Sequence, residues 1–454
     1  MYERGDSHME EKRSERDYGA LALIPFIVFL GLYVGCGMVL MLMGVKDAFY
    51  QMPRYVAAMV AILIGIYCFD RKKKIGDKIN VYCAGAGRSG VMQMGLILLL
   101  AGGFANAVAE IGGKTSMVNL GISIIPSHLL IPGIFLICCI ISTCIGTSMG
   151  TQVTMIPVAI ALAKGAGLNT GMAGAAAIAG AYFGDNLSMI SDTTIAATKG
   201  VDAEMKDKFR MNFLIALPGA IVTMVIYAVL GHASGGGGQV QTRNYILPTV
   251  IPYFAVLILA VAGMDVTVVL VIGTVLAGVI GMACGTISFF GWTKAIGAGM
   301  EDMFWLAVFA MMISGMVELV RYYGGIAYLL KVSMKKIRNR KSCEYIIGFV
   351  SMIISGITLN NTVAIMISAP FAKDLGDKYK IAPKRLASLL DIFGAAALML
   401  VPHDSGVLLV QTYAKGVNYL DIVRYQFYPI LLLLFTCLTV QFGLMRTKEE
   451  KEAA

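Results

Sequence analysis

Eleven consecutive residues, Gly184-Asp185-Asn186-Leu187-Ser188-Met189-Ile190-Ser191-Asp192-Thr193-Thr194, carry two carboxylates, one side-chain amide and four hydroxyls. They stand between an Ala- and Gly-rich stretch, 171–183, and Ile195-Ala196-Ala197. Carboxylate, amide, hydroxyl and main-chain carbonyl oxygens are the ligands that a hard monovalent cation such as sodium takes. A carboxylate with little water around it also keeps a proton readily once the cation has gone. Proton and cation then compete for one group. Asp185 and Asp192 are the candidates for that group, with Asn186, Ser188, Ser191, Thr193 and Thr194 as neighbouring ligands. Two close like charges titrate as a pair, so spacing alone leaves open which one holds the proton. The plainer alternative is a solvated interfacial loop in which Ser191 or Asp192 caps a helix.

Two further polar clusters interrupt apolar runs. Thr147, Ser148, Thr151 and Gln152 lie inside 129–163, and Asn360, Asn361 and Thr362 lie inside 345–372. His403-Asp404 reads as a proton-relay pair, beside the plainer reading of His403 as an interfacial hydrogen-bonding residue. Glu110, Glu301, Asp302, Glu318 and Asp391 fit an interface as well as a pathway. Gly85-Ala86-Gly87-Arg88-Ser89-Gly90 has dinucleotide-loop spacing but no strand–turn–helix setting, so it reads as a loop before an apolar run. No nucleophile–base set and no metal-ligand cluster is visible. We therefore expect no enzyme activity, no cofactor and no metal other than a transported cation.

The elements that must position these residues are membrane helices. Of the 454 residues, 57 % are apolar and 14 % charged, against about 25 % charged in soluble domains. Uncharged runs at 21–44, 91–109, 129–163, 211–231, 244–264, 266–293, 345–372 and 425–445 are long enough to cross a bilayer as helices. Within hydrocarbon the backbone must satisfy itself, which favours helices. A charge at mid-membrane costs about 2.5–3.5 kcal/mol on insertion scales, so intramembrane carboxylates are functional candidates. The nine cysteines lack Cys-x-x-Cys pairing and read as buried, reduced thiols. The net charge of +9 sits in short basic loops, as the positive-inside rule requires, and is no nucleic-acid signal.

Charge sets the topology. The basic loops around Arg71–Lys78, Lys199–Arg210, Lys331–Lys341 and Lys373–Arg385, with the tail from Arg446, are placed in the cytoplasm. Residues 343–372 lie between two such loops, so a re-entrant hairpin with its tip at Leu359-Asn360-Asn361-Thr362 is expected, the plainer alternative for this stretch and its partner being a tilted or kinked full span. Its partner is 129–163, with its tip at Thr147-Ser148. The two stretches align at a constant offset: Ile140-Ile141-Ser142 on Ile353-Ile354-Ser355, Thr147-Ser148 on Asn360-Asn361, and Pro157 on Pro370. Gly112-Gly113 falls on Gly324-Gly325, and Ser191-Asp192 on His403-Asp404, with a one-residue change. The expected fold is an all-α polytopic membrane protein of about ten spanning helices plus two re-entrant hairpins, in an inverted-topology repeat. Its segments are a cytosolic tail 1–18, a first repeat 19–232, a Gly-rich linker 233–243, a second repeat 244–445 and a tail 446–454. Such repeats hold substrate and coupling ion at the midplane, on broken helices.

Gly146-Thr147-Ser148-x-Gly150-Thr151, followed by Phe183-Gly184-Asp185-Asn186-x-Ser188-x-x-Ser191-Asp192-Thr193-Thr194, resembles the NhaC family of bacterial sodium/proton antiporters. That family is similar to a wider ion-transporter group whose divalent-anion/sodium symporters carry a Ser-Asn-Thr signature on each hairpin tip. Asn360-Asn361-Thr362 is a variant of it, and Thr147-Ser148 departs from it. The resemblance implies exchange of sodium for protons by alternating access, with hairpins and broken helices moving against a scaffold. It also implies an inner-membrane, multi-pass homodimer in contact with lipid, here with both termini cytoplasmic. Some relatives couple cation flow to malate, lactate or amino acids, so a small organic anion or amino acid is the alternative cargo. No Arg or Lys stands at either tip, which favours the bare cation.

Overall fold

The computed structural model describes residues 17–43, 45, 51–124, 126–189, 191–233, 246–262 and 264–446. Nearly all of the expected N-terminal tail, the glycine linker and the C-terminal tail lie outside the described residues. Among those described there are helices and no strands. Among the described residues, six helical stretches are long and apolar enough to cross a membrane: Gly19–Leu40, Ser89–Glu110, Met205–Gly231, Val266–Ala283, Phe289–Tyr322 and Pro383–Tyr413, the last interrupted at 401–404. Five shorter apolar helices accompany them. Phe289–Tyr322 is one 34-residue helix. Lys294, Glu301 and Asp302 mark polar positions along it without breaking its backbone.

The chain forms two compact units, one of Met1–Met92 with Phe309–Lys336 and one of Gln93–Val308 with Ile337–Ala454. Each half of the sequence contributes to both. The first unit is held by stacked and edge-on rings of Tyr18, Phe69 and Tyr323. In it Glu318 takes Arg88 and Arg321 together, and the Lys78 ammonium is buried on the Phe69 carbonyl at 3.0 Å. The nine cysteines are all free, but only Cys138, Cys139 and Cys343 are buried. The expectation of buried thiols therefore holds for a minority, because an apolar helix also turns residues outward.

The second unit carries the polar motifs. Its relevant helices, in chain order, are α1 (Ser127–Ile145), α2 (Ser148–Gly165), α3 (Thr170–Leu187), α4 (Asp192–Gly200) and α5 (Met205–Ala233). They are followed by α6 (Arg340–Thr358), α7 (Asn361–Tyr379), α8 (Pro383–Leu400), α9 (Ser405–Tyr413) and α10 (Phe427–Gln441). Helices α1 and α6 start 213 positions apart (340 minus 127) and have the same length. The same offset relates the starts of α2 and α7, and both ends of α3 and α8 and of α4 and α9.

The repeat extends to individual bonds. The α1–α2 turn is made by Gly146, with φ of 76°, and Thr147, whose side chain accepts from the Gly150 N–H. The α6–α7 turn is made by Leu359, with φ of 53°, and Asn360, whose side chain accepts from the Val363 N–H. A left-handed residue followed by an extended cap turns the chain sharply and satisfies the new helix's free N–H groups. Ser142 Oγ donates to the Ala181 carbonyl at 2.5 Å, and Ser355 Oγ donates to the Gly394 carbonyl at 2.9 Å. Each bond pins the first helix of a hairpin to the helix after that hairpin. Pro157 and Pro370, inside α2 and α7, each remove one main-chain donor.

Two boundaries differ from the sequence reading. The Ala- and Gly-rich helix runs past the 171–183 stretch to Leu187, so Asp185 and Asn186 sit in the last turn of α3. Small residues there sustain the helix because they pack against a neighbour. Lys199–Arg210, read as a basic loop, contains the start of α5, and its Lys208 is buried.

Candidate functional site

Helix α3 is buried on nearly every side, as expected of a helix apolar all round. Its glycines allow that. A Cβ on Gly184 would stand 2.5 Å from the Cys139 carbonyl and from Ser142 Cβ. The close approach brings the last turn of α3 beside the first hairpin tip. Asp185 is buried there, and the Ser191 hydroxyl donates to its Oδ1 at 2.5 Å. The Ser148 side chain, from the tip, lies beside the same carboxylate. Ser191 also caps α4 by accepting from the Thr193 N–H, and its Oγ lies 2.9 Å from Thr193 Oγ1. Ser188, in the break itself, is buried, and its hydroxyl has no hydrogen-bond partner among the described residues. Asp185 thus sits among hydroxyls, near the negative end of α3's dipole and the positive end of α4's.

A second carboxylate adjoins it. Asp391, in the middle of α8, is fully buried, and Lys208 Nζ lies 2.5 Å from its Oδ2. Lys208 also donates to Thr194 Oγ1 at 2.7 Å and to the Asn186 carbonyl at 3.0 Å. Asn361, from the second tip, donates to Asp391 Oδ1 at 3.0 Å, and Asn212 donates to Oδ2 at 3.3 Å. With its amide nitrogen turned inward, Asn186 reaches both Asp391 oxygens at 3.1 and 3.2 Å. A third buried carboxylate, Asp404, caps α9 through the Gly406 N–H at 2.8 Å and accepts from the Tyr182 hydroxyl at 3.1 Å. His403, also buried, lies beside the Gly356 backbone.

The model of the Na+/H+ antiporter family matches residues 10–232 and 245–446. The chain belongs to that family. The antiporter chain is 24 % identical to the Na+/H+ antiporter NhaC of Alkalihalophilus pseudofirmus, over 92 % of this chain and 97 % of that one. It is 26 % identical to NhaC of Bacillus subtilis, over 90 % and 94 %. A malate-2H+/Na+-lactate antiporter of Bacillus subtilis is 27 % identical over 49 % of this chain, and the match spans 46 % of that protein's length. Among solved structures, the YdaH transporter of Alcanivorax borkumensis aligns over 93 % of this chain and 99 % of its own, with TM-score 0.42 and 11 % identity. The family model and the long apolar helices make the antiporter a multi-pass membrane protein of a transporter family.

The antiporter brings most of the sequence candidates together, but not all. Asp185, Asn186, Ser188, Ser191, Thr193 and Thr194 are buried at the α3–α4 break. Ser148 and Asn361 carry the two tips to the two carboxylates. Thr147 and Asn360 act as helix caps, and Thr151 bonds the Thr147 carbonyl at 3.2 Å. Asp192 is exposed in the first turn of α4. It lines an open groove of about 490 Å³ with Lys199, Thr362, Met366 and Pro370. Matching Asp192 to Asp404 by their carboxylates was one residue out of register. By position Ser191 matches Asp404, and both are caps.

Lys208, Asn212 and Tyr182 were not singled out, and Asp391 was left between interface and pathway. A signal for them exists. Lys208 and Asn212 are four apart, which puts them on one helix face. Asn212 is polar within an uncharged run, and a carboxylate alone in an Ala-rich helix needs a cation nearby.

Proposed function

We propose that the protein exchanges sodium for protons across the cell inner membrane by alternating access, with Asp185 as the group that the two ions share. One observation carries this reading: Asp185 is buried, and its hydrogen-bond partners are hydroxyls rather than an ammonium or guanidinium. A buried carboxylate without a paired counter-ion must take up a cation or a proton. Ser148, Ser188, Ser191 and Thr193 supply oxygens for the cation. Family membership and the NhaC relatives support sodium as the ion. In this reading the two hairpins re-enter the membrane from opposite sides, both termini face the cytoplasm, and the working form is a homodimer. Tyr182 and Asp404 offer a proton-holding group adjacent to the cation cluster. Asp192, which is exposed, stands at an approach to the site rather than within it.

A second reading is cation-coupled exchange of a small carboxylate or amino acid. The groove holding Lys199, Asp192 and Thr362 favours it, being of organic-solute size with one charge of each sign. The malate/lactate relative supports it as well. Proteoliposomes with an imposed proton gradient separate the two readings. Dissipation on adding sodium alone, absent in Asp185→Asn, is expected. Sodium-driven uptake of labelled malate, lactate or amino acid without sodium–proton exchange would replace the first reading with the second.

A further inference from the structure

The Lys208 ammonium is fully buried and has three N–H donors, each with an oxygen to receive it: a carboxylate, a hydroxyl and a main-chain carbonyl. A carboxylate and hydroxyl oxygens are also what the Asp185 cluster gathers. The architecture is also the same. In each repeat the first residue of the second hairpin helix, Ser148 or Asn361, reaches a carboxylate on the helix that follows the hairpin. Ser148 and Asn361 hold the same register position. More oxygen surrounds Asp391 than an ammonium can use, since Asn212 Oδ1 and Asn361 Oδ1 are buried without a donor among the described residues.

We infer that Lys208 is a tethered cation filling a second monovalent-cation site, built from Asp391, Asn186, Thr194, Asn212 and Asn361. The inference rests on the reading of Asp185 as the exchanging site. A lysine side chain cannot dissociate, so the Asp391 site stays neutralised and its ion does not cross. Asp185 is left as the position that turns over, and the chain carries one mobile cation. An ion pair retained only for stability would be replaceable by apolar residues of similar volume. A filled cation site would instead accept a free ion once the lysine is replaced by an uncharged side chain.

Equilibrium binding of radiolabelled sodium to the purified full-length chain tests this. Wild type is expected to bind one sodium, and Asp185→Asn none. Lys208→Met is expected to bind two, Lys208→Met with Asp391→Asn one, and Lys208→Met with Asp185→Asn one. Lys208→Met that binds a single sodium, lost with Asp185→Asn, overturns the inference. If wild type binds none while Lys208→Met gains one that depends on Asp391, the exchange reading of Asp185 fails and the second site stands. Should Lys208→Met fail to fold in potassium-free, sodium-free buffer, sodium but not choline is expected to restore its monodisperse peak. Absence of such sodium-specific rescue also overturns the inference.

Discussion

Replacing Gly184 by alanine adds one methyl group at the place where α3 meets the first hairpin. That Cβ would lie 2.5 Å from the Cys139 carbonyl oxygen, 2.5 Å from Ser142 Cβ and 2.6 Å from the Thr143 nitrogen. Two of the three are main-chain atoms, so no side chain can rotate away, and the helices must separate by the better part of an ångström. Overpacking of this kind costs about 1–3 kcal/mol. The Ser142 bond to Ala181 and the Ser148 contact to Asp185 both cross this interface, and separation lengthens them. A Cβ on Gly133, in α1 of the same hairpin, would meet nothing within 4 Å. Alanine there should stabilise by about 0.5–1 kcal/mol, because a helical glycine sacrifices backbone entropy. Thermal unfolding in detergent, read with a thiol-reactive dye and repeated with and without sodium, is the assay. Gly184→Ala should melt below wild type with a smaller sodium-induced shift, and Gly133→Ala at or above it with the shift intact. Equal melting points and equal sodium responses in the two variants would refute the packing account.

Other outcomes are expected of single substitutions in the same unit. Gly146→Ala should destabilise by about 1 kcal/mol, since alanine pays the left-handed penalty, whereas Leu359→Gly, which relieves such a penalty at φ of 53°, should be neutral or stabilising by up to about 1 kcal/mol. Chemical or thermal unfolding of the two variants reads the difference in sign. Ser191→Ala removes both a helix cap and the 2.5 Å bond to Asp185, so sodium affinity should fall roughly tenfold or more, measurable by equilibrium binding. Gly102→Ala would drive a methyl into the Gly299 backbone and should cost about 1–3 kcal/mol, read as a lower melting point without loss of the sodium response per folded molecule.

Much of this arrangement was legible in the sequence because it is local. Gly146-Thr147 and Leu359-Asn360 announce a turn and a cap in four residues, and the repeated Ile-Ile-Ser and proline fix their register. The Asp185–Thr194 motif announces itself by polar density inside apolar sequence. What was not legible is set by packing between distant segments. Lys208 reads as one more loop cation until α5 is seen to carry it against Asp391, 183 positions later (391 minus 208). Asp192 reads as a ligand by type, but helix geometry turns it outward once Ser191 takes the cap. The absence of Arg or Lys at the tips, read as favouring a bare cation, concerned the tips alone. A lysine from α5 reaches the same cluster, neutralised by Asp391.

The dependence of sodium affinity on pH, in wild type and Asp185→Asn, measures the shared-site claim without transport. If one buried carboxylate accepts either ion, the apparent dissociation constant should rise by about tenfold per pH unit on the acid side of its titration. Asp185→Asn should then bind no sodium at any pH, while Asp192→Asn keeps the wild-type profile. A sodium affinity that ignores pH in wild type, or that survives in Asp185→Asn, would contradict it.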